Sequence, residues 1–241
     1  MECPEPLRYA MALADDIRVL RDRVLHDLRA AHDYYTDTRI AWKIVHKVVK
    51  AGNRFTNRNT ITGTVTTEAD LVGKARGYVA EQLVEATFQQ FISIFESFLF
   101  DFLRLWLSAW PDSLRQKEVR FETVLDEPDK DGIIQFVVTR KVRDILQGAP
   151  ADWFKQLKSI VNLGCPSADE VERIAEAKAS RDVLVHNRGI VNKLYEVKAG
   201  KQGRHKEGER IDISESYHRH TWELIQKVVN DVTREAIART P

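Results

Sequence analysis

The residues best suited to chemistry lie between Ala177 and Tyr195, where the chain reads AKASRDVLVHNRGIVNKLY. Read as one helix turning about 100° per residue, the segment puts Ile174, Ala177, Leu184, Val185 and Val191 on one face, with Arg181, Arg188 and Asn192 among them. A fixed cation amid core-directed residues is costly unless it is paired or lines a wet interface. This face is therefore more than core. Asp182 and His186 are four positions apart, neighbours along a helix. An aspartate beside an imidazole can fix its orientation and raise its pKa toward a range useful for proton transfer.

The elements that must hold these side chains read as helices. Ser167 with Glu170 three positions later has the pattern of a capping box, opening a helix expected to run through the motif to about Tyr195. Upstream, Phe88, Phe91, Ile92, Phe95, Phe98, Leu99, Phe102, Leu103 and Trp106 form one broad apolar stripe. A helix over 71–110 is expected at the centre of a bundle, ended by Pro111. Apolar spacing from Leu13 to Lys50 fits one long helix or two stacked ones. Residues 51–70, rich in Asn, Thr and Gly, read as a loop or small hairpin, with Thr67 a plausible start for the next helix. Residues 118–135 (with Pro128 and Gly132) read as a connection with short helical turns, 134–146 and 153–163 as short helices, and 215–238 as the last helix.

Composition narrows the class. Of 241 residues, 43% are hydrophobic and 30% charged, while Gly (11) and Pro (7) are scarce, which favours α over β. The two cysteines, Cys3 and Cys165, have no partner at metal-ligand spacing, so neither a disulfide framework nor a zinc site is expected. The first residues lack a basic segment followed by an apolar one, and Glu96, Asp101 and Arg104 interrupt the longest apolar stretch. A soluble, cytoplasmic chain with no membrane partner is the expectation. A net charge of +1 gives no global field for nucleic acid, so any such site must be a local cluster.

Arg181-Asp-Val-Leu-Val-His186 matches the arginine–polar–three residues–histidine signature of HEPN domains. The continuation Asn187-Arg-Gly-Ile-Val-Asn192 with Tyr195, the helix carrying Phe95-Glu96-Ser-Phe98, and Glu207-Gly-Glu-Arg-Ile211 with Tyr217 resemble prokaryotic members near defence and abortive-infection systems. The resemblance covers roughly Val79 to the C-terminus. A second copy of the spacing, Arg21-Asp-Arg-Val-Leu-His26, lacks that continuation and is read as a solvated helix face. Asp182 stands where asparagine is frequent in the family.

The resemblance implies an all-α, HEPN-like up-and-down bundle over 71–241, preceded by an N-terminal helical extension and loop over 1–70. It also implies a homodimer in which two arginine–histidine sets meet, acting on RNA as a toxin or antiviral effector, with an antitoxin or defence-system protein as a further partner. His186 would move protons at the 2′-hydroxyl or the leaving oxygen, and Arg181 would neutralise the phosphate, with Asp182 in support. No metal or cofactor is required by that chemistry. The rival within the family is a non-catalytic module for dimerisation or RNA binding. A third reading is a helical scaffold in which Arg181 and His186 only satisfy an interface.

Supporting positions stay open at this level. Asn187 and Asn192 either bind phosphate or cap the helix around Gly189; Glu96 either holds Arg181 or faces solvent. Tyr195 is a core residue or part of the site. Arg188 lies inside the motif, and Lys198, Lys201 and Arg204 belong to a basic run that either contacts phosphate or is simply solvated. His32, His46, His218 and His220 show no partner pattern and read as structural or exposed.

Overall fold

Phenylalanine at every third or fourth position makes one helix the axis of the molecule. In the computed structural model, which describes residues 5–114, 118–119, 121–127 and 129–240, that helix is α3 (Leu83–Ala109), and Phe88, Phe91, Phe95, Phe98 and Phe102 on it are buried. Each such ring removed from water contributes about 1.5–3 kcal/mol. Against it lie α1 (Glu5–Lys50), α5 (Lys130–Leu146), α7 (Ala168–His186) and α9 (Glu215–Ile237). The fold is an all-α bundle; among the described residues, strands occur only as a short antiparallel hairpin, β1 (Thr56–Arg58) with β2 (Val65–Thr67). Cys3 and Pro128 lie outside the described residues.

α1 is a single helix of 46 residues, about 69 Å long. Its stripe Leu13, Ile17, Leu20, Val24, Leu28, Ala31 and Tyr35 joins the same core as α3 and α9. The helix runs antiparallel to α3: Arg23 meets Asp101 at 2.6 Å, and Trp42 meets Tyr78 with ring centroids 6.1 Å apart. After the hairpin, Thr67 and Asp70 form a reciprocal capping box that starts α2 (Glu68–Gly77). The helix expected over 71–110 is interrupted once, by a π-helical turn at Tyr78–Gln82 that re-phases the chain before α3 begins.

Beyond Pro111, α4 (Phe121–Asp126) and α5 fill the connection. Asp129 caps α5 by accepting from the Gly132 amide at 2.8 Å, so that helix begins four residues earlier than its apolar pattern suggested. α6 (Pro150–Ile160) has proline at its first position, where no amide is needed. Ser167 and Glu170 close the expected capping box of α7.

The expected run of α7 to Tyr195 is corrected. The helix stops at His186 because Arg188 and Gly189 both take left-handed backbone, with φ of 53° and 78°. The turn is then pinned to the returning chain: Val191 N–H donates to Glu209 at 2.8 Å, and Ile211 N–H to Gly189 at 2.8 Å. A separate short helix, α8 (Lys193–Ala199), follows. Arg188 and Asn192 therefore do not share the face of Arg181. The inward side of α7 is Ile174, Glu176, Ala177, Ala179, Ser180 and Val183, whereas Val185 is exposed. Among the described residues no helix is long and apolar enough to cross a membrane.

Candidate functional site

Arg181 projects from α7 toward α3, where its guanidinium meets Glu96 at 2.5 Å. Glu96 also takes the Lys178 ammonium at 2.9 Å, and Lys178 lies 5.6 Å from the centroid of the Trp153 ring. The expectation for Glu96 was divided; the structure makes it an ion-pair partner, a quarter exposed. Lys178 was not singled out from the sequence. Its spacing was the available signal, one turn before Asp182 on the same helix.

Asp182 does not orient His186. One of its oxygens accepts from Arg181 at 3.1 Å and from Lys178 at 3.4 Å, and the other from Lys198 at 3.3 Å. Three cations take up the carboxylate and leave neither oxygen to the imidazole. His186 is exposed at the end of α7, with no hydrogen-bond partner among the described residues. It nevertheless shares a shallow cleft of about 160 Å³ with Asp182, Asn187, Asn192 and Lys198. That volume suits one anionic group rather than a whole nucleotide. Arg181 sits behind Asp182 and is not part of the cleft wall. A chain alone thus presents histidine, lysine and aspartate at the surface, with the arginine one carboxylate away and partly open to solvent.

The remaining candidates divide by what they touch. Asn192 caps α8 by accepting from the Tyr195 amide at 3.0 Å. The side-chain amide of Asn187 donates to the Ile190 carbonyl and closes the turn. Both have structural bonds while still lining the cleft. Arg188 is exposed in the left-handed turn. Lys201 pairs with Glu172 at 2.9 Å, away from the cleft.

Tyr195, which also lines the cleft, meets Arg204 in a second assembly built around Glu176. Glu176, buried, accepts from Ser180 at 2.8 Å, from Tyr195 at 2.8 Å, from Arg204 at 3.1 Å and from the Tyr217 hydroxyl. The guanidinium of Arg204 covers the Tyr217 ring at 3.4 Å. Burial, with the adjacent carboxylate second, pushes the Tyr195 phenol up to about 12. Arg204 is consequently a strut between the returning loop and α7, not a free phosphate ligand. Glu176 was missed from the sequence; a carboxylate four residues before Ser180 on the inward stripe was its only mark.

The Arg21–His26 copy is solvated, as read from the sequence: Arg21 pairs with Asp22 and His26 with Asp27 on the outer side of α1. Among the described residues no group of three or more His, Cys, Asp or Glu side chains could hold a metal ion. Burial pushes the Cys165 thiol up to about 11, away from reactivity. Comparison with family models, with curated proteins and with solved structures finds no match to this chain.

Proposed function

We propose that the chain is a metal-independent endoribonuclease of the HEPN type, working as a pair of copies, with Arg181 and His186 as its central residues. One observation carries this most: Glu96 of α3 grips Arg181 of α7 at 2.5 Å while His186 stands free at the mouth of an anion-sized cleft. The ion pair fixes a partly exposed guanidinium one carboxylate behind the cleft, and the imidazole, without a partner among the described residues, is available as general acid or base. Lys198, paired with Asp182 at 3.3 Å, is the cation that lines the cleft itself.

Pairing of copies is supported by exposed apolar residues around the motif. Val185, Ile190, Leu194 and Val197 are 49%, 41%, 56% and 78% exposed and ring His186 on the end of α7, the turn and α8. Apolar surface of this kind beside a charged cleft fits an interface whose floor is the site. Cleavage proceeds by attack of the RNA 2′-hydroxyl on the adjacent phosphorus. The 5′ oxygen leaves with a proton, giving a 2′,3′-cyclic phosphate and a 5′-hydroxyl.

The second reading, a non-catalytic module that binds RNA or its own copy, is favoured by the double pairing of Arg181 with Glu96 and Asp182, which leaves the guanidinium already satisfied. Incubating wild type, Arg181→Ala and His186→Ala with RNA in EDTA, then mapping the ends, separates the two. Wild type is expected to cut, leaving cyclic-phosphate ends. Each variant should be slower by about 10²–10³-fold or more. Equal cleavage by all three rejects the assigned residues; binding without cleavage by any of them favours the second reading.

A further inference from the structure

The chain's net charge of +1 conceals a strong local asymmetry. Residues 38–67 contain Arg39, Lys43, Lys47, Lys50, Arg54 and Arg58 and not one Asp or Glu, so the rest of the molecule is net acidic. Two of these cations are neutralised from outside the segment, Arg39 by Glu215 and Arg54 by Glu68. Lys47, Lys50 and Arg58 are exposed and have no carboxylate partner among the described residues, and Lys43, also exposed, sits in the field of Glu215, whose ion-pair partner is Arg39. The three lysines fall at i, i+4 and i+7, one stripe on the outer side of α1.

This stripe lies at the same end of the bundle as the motif. On α3, Glu96 marks the level of Arg181, and Glu85 marks the level of the turn after His186 through its pair with Arg210 at 3.2 Å. Gly189 abuts that same Arg210 side chain. Trp42 of α1 meets Tyr78, seven positions before Glu85. The last turns of α1 and the hairpin therefore overhang the bundle beyond the motif, by about 10–20 Å at 1.5 Å per residue.

We propose that this overhang is a docking arm for the phosphodiester backbone of single-stranded RNA, delivering the strand toward His186. The choice of RNA among polyanions rests on the function proposed above; the polyanion itself rests on the charge pattern. Lysines a turn apart can each neutralise one phosphate, and the Asn- and Thr-rich hairpin adds hydrogen-bond donors beside Arg58. An anionic membrane fits less well. Ile40, Ile44 and Val48 are exposed beside the stripe, and Ile61 and Val65 on the hairpin, which would suit lipid, but the large aromatic that a surface-lying helix would sink into a bilayer, Trp42, is turned against Tyr78.

The test uses Arg181→Ala/His186→Ala protein, so that RNA is not cut, with and without Lys43→Gln/Lys47→Gln/Lys50→Gln. Anisotropy of a labelled oligouridine gives affinity across salt concentrations, and circular dichroism checks that the helices persist. Neutralising the stripe should weaken binding about tenfold or more at low salt. The slope of log affinity on log salt should become shallower by about 2, near 0.7 for each phosphate that no lysine neutralises any longer. Unchanged affinity and slope overturn the proposal, as does lysine-dependent capture by phosphatidylserine vesicles with RNA binding unaffected. Lysine-dependent RNA binding by a chain whose wild type never cleaves would keep the arm and reject the nuclease; cleavage with lysine-independent binding would do the reverse.

Discussion

His218 shows how one side chain can carry a pH dependence unrelated to the site. Its Nε2–H donates to Thr87 Oγ1 at 2.8 Å, while the Thr87 proton goes to the Leu83 carbonyl at 2.7 Å. Nδ1 is buried with no hydrogen-bond partner among the described residues, against Tyr35, Phe91 and His32. Burial above all, then His32 and Arg39 of α1, with Glu215 of α9 opposing them, depresses its pKa to about 4. The unfolded chain, near 6.5, binds the proton more readily. Stability is therefore complete above about pH 6.5 and falls as pH drops toward 4, by up to about 1.4 kcal/mol per unit. Urea unfolding across that window should show this slope in wild type and a flatter one in His218→Gln; identical slopes would remove His218 as the cause. Arg181 and His186 were legible because residue type and spacing announce them. His218 and Glu176 were not, because their burial is decided by how α9 and α7 meet the rest of the bundle.

At the level of elements, local chemistry wrote most boundaries into the chain. Thr67 with Asp70, Ser167 with Glu170, and Pro111 after the phenylalanine stripe each mark an end that the backbone respects. The end of α7 escaped because Ile190 and Val191 continue an apolar rhythm past Gly189, masking the one residue able to stop the helix cheaply. Gly189 takes φ of 78°, and a Cβ there would meet the Arg210 guanidinium at 3.4 Å. Gly189→Ala should cost about 1–2 kcal/mol from left-handed backbone alone, read as a lower urea midpoint with unchanged slope. Because His186 is the last helical residue before this turn, RNA cleavage should fall with stability rather than independently of it. A variant as stable as wild type would mean that the turn is not what ends the helix.

For the whole molecule, the decisive geometry is the separation of Arg181 from the cleft that holds His186. Asp182 stands between them within one chain, so in the proposed reaction a second copy brings its own set across the apolar ring. If so, Ile190→Asp/Val197→Asp should yield monomers in sedimentation and lose cleavage, although neither side chain lines the cleft. A mixture separates assembly from chemistry more sharply. Arg181→Ala copies retain histidine and His186→Ala copies retain arginine, each inactive alone. Co-refolded at equal amounts, about half of random pairs combine one of each and present one intact arginine with one intact histidine. Partial recovery of cleavage, absent from either parent and abolished when both also carry Ile190→Asp/Val197→Asp, is the outcome expected of a site shared between copies. No recovery from pairs shown to form would require both side chains to act from a single chain, with Asp182 turned aside to let them meet.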